Sequence, residues 1–299
     1  MQFATPPKRD GRGQMSDEYR SIQISVPDTI NELLQTLKKR PTALLYAGGT
    51  QILREQPDRF LRLPSEIIEL RHVEELQRIS RTEKYVEIGA GVTIGALLEL
   101  SARVFPEMFY QAIRHISRPG TAHLATIGGN LCVPDSVMTL TPVLLVFDTQ
   151  IELRRQGKAH WLPLSRFRDD SGTTVIEPGE VMTRIRIPIK SWEHSRFYNY
   201  GAAYLPNTNP LTFAAVAETE KDILADVRIA LAVGGKHIIR QRELEAELVG
   251  RRVPFQQRDL DLLHRRVGEM LEQRGYTPEH VSYERIERLL RVFATGIGS

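Results

Sequence analysis

One cysteine, Cys132, stands in the whole of the 299 residues. A single thiol cannot close an intrachain disulfide, nor can it supply the four thiolates of an iron–sulfur cluster. Any such cluster that serves this protein must therefore belong to another chain. The sequence also lacks a run of the roughly 20 apolar residues that a bilayer-spanning helix requires, and it lacks a charged-then-apolar opening. The expectation is a cytoplasmic protein with no membrane span. Charge of one sign is missing too: 40 Lys and Arg stand against 37 Asp and Glu, a formal net of +3. The basic runs Lys38-Lys39-Arg40 and Arg251-Arg252 carry no interleaved aromatics, which argues for solvated faces and against a nucleic-acid partner.

Familiar catalytic signatures are absent as well. There is no G-x-S-x-G elbow, no H-E-x-x-H pair and no Walker lysine loop. Gly234-Gly235-Lys236 lacks both the upstream glycine and the Ser or Thr after the lysine, and reads as a hairpin turn. The eight histidines are scattered without ligand spacing, so no metal site is expected. Asp169-Asp170 sits in a Ser/Gly loop and reads as solvated. No side chain stands out as acid, base or nucleophile.

What is present is an ordinary soluble composition, 41% hydrophobic and 26% charged, in a chain long enough for two cores. Residues 1–20 are polar, with Pro6-Pro7 and Gly11-Arg12-Gly13, and are expected to form a disordered tail. Ile22, Ile24 and Val26 read as a strand. Thr29-Ile30-Asn31-Glu32 forms a capping box ahead of a helix with Ile30, Leu33, Leu34 and Leu37 on one face. Leu44-Leu45-Tyr46 is a short buried strand, and strand character returns at Ile67-Ile68 and Tyr85–Ile88. A helix with Ile94, Leu97, Leu98, Val104 and Phe105 comes next, then the apolar run Val143–Phe147 and Gln150-Ile151-Glu152-Leu153. Val181–Ile187 alternates strictly, with Arg184 and Arg186 outward. The composition shifts near Lys190, where a domain boundary is expected: 21–190 before it and 191–299 after it. The second part holds strand candidates such as Val227–Val233. A helix with Leu260, Leu263, Val267, Met270 and Leu271 inward follows, and another after Ser282 with Ile286, Leu289, Leu290 and Phe293 inward.

Three glycine segments compete for a ligand. Gly89-Ala90-Gly91-Val92-Thr93-Ile94-Gly95 follows a strand and opens a helix, but its spacing is one residue too long for the usual dinucleotide fingerprint. It reads as a tight strand-to-helix turn. Ala47-Gly48-Gly49-Thr50-Gln51 and Thr126-Ile127-Gly128-Gly129-Asn130 each pair adjacent glycines with a hydroxyl. Adjacent glycines let the backbone approach a ligand closely and turn successive N–H groups toward an anion. Two such loops suit the two phosphates of one dinucleotide.

In order along the chain, Tyr46-Ala47-Gly48-Gly49-Thr50-Gln51-Ile52, Ile88–Ile94 and Ala125–Asn130 resemble the flavin subunit of molybdenum hydroxylases, the xanthine dehydrogenase and CO dehydrogenase type. Pro142 with Leu144-Leu145 and Asp148, and Ile176-Glu177-Pro178-Gly179-Glu180-Val181, agree with it. So do Arg228–Leu231, Gly234-Gly235, and Arg240 through Gly250; the last 45 or so residues match poorly. The resemblance implies an α+β fold: a two-subdomain FAD-binding domain of vanillyl-alcohol-oxidase (PCMH) type, then a smaller domain with an antiparallel sheet and helices. It implies FAD as cofactor, a ferredoxin-like [2Fe-2S] subunit and a large molybdopterin subunit as partners, and NAD+ or another acceptor for the electrons. Carried over, Leu45, Tyr46, Ala47, Gly48, Gly49, Thr50, Gln51 and Ile52 wrap the pyrophosphate. Thr126, Gly128, Gly129 and Asn130 hold the other side of the cofactor, and Ile176 packs near the flavin ring. Thr139 stands at a cofactor-contacting position where the family usually has aspartate. Thr121, Ala122 and His123 replace an Arg-Asn pair, and Asn199 or Tyr200 falls where a basic residue is usual. A cofactor-free scaffold subunit and a stand-alone FAD oxidoreductase are the alternatives.

Overall fold

The computed structural model describes residues 21–56, 61–100, 104–116, 118–134, 136–169, 172–201, 209–277 and 281–297. The expected tail, 1–20, and Asp170 of the acidic pair lie outside the described residues.

The chain begins with strand β1 (Gln23–Ser25), helix α1 (Ile30–Lys39), strand β2 (Leu44–Tyr46), the single-turn helix α2 (Thr50–Arg54) and strand β3 (Glu66–Glu69). The strands run parallel in the order β1-β3-β2. Thr29 starts α1 by accepting the Glu32 N–H at 3.3 Å. The Glu32 carboxylate takes the N–H of Asp28, one residue ahead of the reciprocal bond in a capping box. The apolar face of α1 buries Leu33 and Leu37 in a small core with Ile68, Val73 and Leu76.

Next come β4 (Ile79–Arg81), β5 (Tyr85–Gly89), α3 (Ile94–Glu99), α4 (Glu107–Ile116), α5 (Ile127–Leu131), α6 (Leu140–Val146), β6 (Gln150–Arg155), β7 (Lys158–Pro163) and β8 (Val181–Pro188). Their five strands form an antiparallel sheet in the order β4-β5-β8-β6-β7. Arg184 and Arg186 lie on its outer face as the alternation predicts. Arg186 pairs with Glu87 at 2.6 Å and stacks on Trp161 at 4.0 Å, while Arg184 reaches Glu152 at 2.7 Å. The helix expected from Ile94 to Phe105 stops at Leu100, which is extended, and a second begins at Glu107. Pro106 explains the new start: it lacks an N–H to continue a helix and biases Phe105 away from helical geometry. The apolar run after Pro142 is helix α6, every residue of it buried.

The remainder comprises β9 (His194–Tyr200), β10 (Leu211–Glu220), β11 (Ile223–Val233), β12 (His237–Ile239), α7 (Arg242–Leu248), α8 (Gln257–Glu272) and α9 (Val281–Thr295). The sheet is antiparallel in the order β12-β11-β10-β9, and Gly234-Gly235-Lys236 is the turn between β11 and β12. One face packs Phe213, Ala215 and Leu231 against α8 and α9. The other presents Ala214, Val216 and Ala230 to the same large core as Leu140, Val143 and Leu144 of α6. Small side chains at Ala214 and Ala230, partners in the ladder, let the helix approach the sheet. Three arginines complete this junction at Asp148, just past α6: Arg228 at 2.9 Å, Arg240 at 2.8 Å and Arg242 at 2.8 Å. Arg228 and Arg240 also donate to the carbonyls of Val146 and Leu145, capping the helix's free end.

Candidate functional site

The first glycine loop leaves the carboxyl end of β2 and turns into α2. Gly49 holds φ +68°, a left-handed backbone that glycine adopts without steric cost. Gly48 is the point of closest approach: a Cβ there would lie 1.6 Å from the Leu124 carbonyl oxygen and 3.2 Å from the Ala125 nitrogen. The two glycine loops, far apart in sequence, therefore touch backbone to backbone.

Their hydrogen bonding differs. Among the described residues, no acceptor takes the N–H groups of Ala47, Gly48 and Gly49, or of Thr50, Gln51 and Ile52 in the first turn of α2. The second segment is the single-turn helix α5, N-capped by Thr126, and its first amides are all taken within the protein. Ile127 N–H donates to Val92 O at 3.0 Å and Gly128 N–H to Ala90 O at 2.9 Å. Gly129 N–H donates to Thr126 Oγ1 at 3.0 Å and Asn130 N–H to Thr126 O at 2.9 Å. What that loop can offer is side chains: the hydroxyl proton of Thr126 and the amide of Asn130. The Asn130 Oδ1 is buried and has no partner among the described residues. The amides of the second segment are thus spent within the fold, because an amide's direction is set by the turn and not by the spacing of glycines.

The middle glycine segment is a buttress. Gly89, Ala90 and Gly91 donate to Arg78 O, Thr183 O and Leu76 O at 2.8, 2.9 and 2.9 Å. Ile94 and Gly95 reach Ala125 O and Ala122 O at 2.8 and 2.7 Å. This turn carries the second segment against the first and spends the amides of Gly89, Ala90, Gly91, Val92, Ile94 and Gly95 within the fold.

Other positions of interest fall in two further places. Thr139 and Asn199, two of the departures from the family pattern, are neighbours: the Thr139 hydroxyl donates to Asn199 Oδ1 at 3.2 Å. Thr212 donates to the same oxygen at 2.7 Å, and Asn199 Nδ2 lies 3.0 Å from His115 Nε2. This network ties α4 and the start of α6 to the C-terminal sheet. Ile176 packs half-buried on the large core; its turn meets the chain just after α1, through the Gly179 N–H on Pro41 O at 3.2 Å. Cys132 follows the second loop, and burial, opposed by the nearby Arg168, pushes its thiol up to about 12.

Two groups escaped sequence reasoning. Leu124, just ahead of the Ala125–Asn130 motif, forms the closest contact with Gly48, which nothing in its type announces. Glu69 ends β3 beside Tyr46, and its position at a strand end was the available signal.

A loop of unpaired N–H donors at the carboxyl end of a parallel sheet fits the phosphates of a cofactor, and the buried, unpaired Asn130 Oδ1 calls for a donor such as a hydroxyl. Known proteins narrow this class. Residues 20–190 match the family described as "FAD binding domain in molybdopterin dehydrogenase". The chain is 25% identical over 226 residues to the xanthine dehydrogenase FAD-binding subunit of Escherichia coli O157:H7, covering 73% of this chain and 75% of that one. It is 28% identical over 232 residues to the nicotine 6-hydroxylase medium subunit of Paenarthrobacter nicotinovorans, covering 76% and 79%. In fold it resembles a chain of the Cu,Mo-CO dehydrogenase, with a TM-score of 0.75 at 21% identity over 92% of this chain and 95% of that one. Quinoline 2-oxidoreductase from Pseudomonas putida 86 gives 0.74 at 20% identity, over 92% and 98%. The chain belongs to the family of FAD-binding domains of molybdopterin dehydrogenases. Its cofactor is FAD, and it is the flavin subunit of an oxidoreductase of the xanthine dehydrogenase kind. Among the described residues no helix is long and apolar enough to cross a membrane.

Proposed function

We propose that this chain is the electron-transfer subunit of a molybdopterin-dependent hydroxylase, working beside a [2Fe-2S] subunit and a large molybdopterin subunit. Electrons from the iron–sulfur partner would leave through this chain to NAD+ or another acceptor, in the cytoplasm. The lone cysteine supports that division, since it leaves iron–sulfur ligation to another chain. Relatives named as a FAD-binding subunit and a medium subunit support a multi-chain assembly. When bound, the flavin supplies the redox chemistry, accepting and releasing electrons.

The chain's own residues hold and orient it. The free amides from Ala47 to Ile52 and the Thr50 hydroxyl form the cradle for the pyrophosphate, while Leu45 and Tyr46 set its entry angle. Thr126 and Asn130 face it from the second loop, and Gly128 and Gly129 keep that loop's surface low. Thr139, through Asn199, and Ile176 are the candidates for the flavin end. In this reading residues 21–190 carry the cofactor, and 191–299 form a second domain that braces it.

The observation that carries the proposal is the unpaired run of amides from Ala47 to Ile52, on a loop whose Gly48 is pressed against the Leu124 carbonyl just ahead of Thr126–Asn130. Purification of the complex under mild conditions tests it: iron, molybdenum and flavin absorbance should co-elute with this chain. A colourless chain that takes up no added FAD would favour a scaffold role. A yellow chain that elutes alone and oxidises a substrate by itself would favour a stand-alone oxidoreductase.

A further inference from the structure

Glu69 is 8% exposed, at the carboxyl end of β3. One of its oxygens, Oε1, accepts from the Arg71 Nε at 2.5 Å and from the Arg71 backbone N–H at 3.1 Å. The other, Oε2, is buried and accepts no hydrogen bond among the described residues; His72 Nε2 stands 3.9 Å away, beyond hydrogen-bond reach. An unpaired carboxylate oxygen at that depth calls for a donor, because removing it from water without one is costly.

Its place in the fold indicates where the donor comes from. Strands β2 and β3 are adjacent and parallel, with Tyr46 and Glu69 aligned in register, so both side chains point to the same face. Neighbouring Leu45 and Ile68, of opposite parity, face the core under α1. Tyr46 bends over the glycine loop: a Cβ on Gly49 would lie 2.2 Å from its hydroxyl. Strand, glycine loop, helix and parallel strand thus form a βαβ unit, with an acid ending the second strand roughly 20 residues after the loop. That is the arrangement by which dinucleotide-binding folds place a carboxylate on a sugar hydroxyl while the loop holds phosphate. The Arg71 guanidinium on Oε1 offsets the carboxylate's charge beside an anionic cofactor.

We infer that Glu69 is a further binding residue for FAD, accepting through Oε2 a hydrogen bond from one of the dinucleotide's hydroxyls. Two sources share this chemistry, the ribose of the adenosine half and the ribityl chain of the flavin half. The inference rests on the assignment of the loop from Ala47 to Ile52 as the phosphate cradle.

Titration of cofactor-free protein, followed by quenching of flavin fluorescence, tests it with the wild type, Glu69→Gln, Glu69→Ala and Gly48→Ala. Loss of a charge-assisted bond should weaken FAD binding about tenfold or more in both Glu69 variants. Glu69→Gln should keep the wild-type melting temperature of the cofactor-free protein. ADP and FMN then distinguish the sources: a ribose contact weakens ADP binding and spares FMN, and a ribityl contact does the reverse. FAD affinity within about twofold of wild type in both Glu69 variants overturns the inference. If Gly48→Ala still impairs binding in that case, the cradle stands and only Glu69 falls. A wild-type chain that binds no FAD, or a Gly48→Ala chain that binds it normally, overturns both.

Discussion

Gly48 meets Leu124 so closely that a Cβ on the glycine would overlap the leucine's carbonyl, at 1.6 Å. A backbone carbonyl cannot swing aside as a side chain can. Gly48→Ala should therefore push the loops apart, costing about 1–3 kcal/mol of stability as overpacking does and weakening FAD binding further. Gly129→Ala is the contrast, since its Cβ would meet only the Thr126 hydroxyl, at 2.9 Å. Thermal melts and FAD titrations of the pair should rank Gly48→Ala as much the worse; equal behaviour would mean that the loops are not pressed together.

Asp148 pairs with three arginines, one of which, Arg240, has a side chain only 7% exposed. Asp148→Ala leaves that buried cation with Glu245 alone and should cost roughly 2–4 kcal/mol in urea unfolding. Asp148→Asn keeps an acceptor and tolerates the positive φ of 52° at this position, so it should cost clearly less. A cost below about 0.5 kcal/mol for the alanine variant would show that the arginines hold nothing together.

The Cys132 thiol, raised by burial to about 12, should be almost wholly protonated at neutral pH. Native protein at pH 8 should react with a disulfide reagent at least about a hundredfold more slowly than the same protein in denaturant. Equal rates would mean that the segment after Asn130 opens freely.

Glu152 gives a pH dependence. Burial opposes its charge, but hydrogen bonds from Arg184, Arg154 and Thr183 prevail and lower its pKa from 4.5 to about 2. A carboxylate with a depressed folded pKa contributes stability above its unfolded pKa, and that contribution disappears as pH falls through the folded one. Wild-type stability should therefore drop between about pH 4.5 and 2, and Glu152→Gln should be less stable at neutral pH with a flatter decline. Parallel curves for the two proteins would remove Glu152 from the effect.

Periodicity made much of the frame legible. The alternation around Arg184 and Arg186, the α1 face and the two C-terminal helices all stand where their apolar spacing puts them, because each element is amphipathic in its own right. Helix α6 is buried on all sides, so its run of apolar residues carries no period to tell helix from strand. Both glycine pairs were visible, but not that the second sits inside helix α5, nor which amides stay free. The Gly128 N–H goes to Ala90, a partner fixed by a turn elsewhere in the chain. Asp148 and Arg240, or Thr139 and Asn199, meet across long stretches of sequence, and no spacing within one chain encodes such a meeting.

Helix α6 belongs as much to the C-terminal sheet as to the segment that contains it. Cleaving the backbone near Lys190 should leave both fragments clasped together on a gel-filtration column. Expressing residues 21–190 alone would instead bare the wall that Ala214, Val216 and Ala230 cover, and yield aggregates where a soluble flavoprotein module was sought.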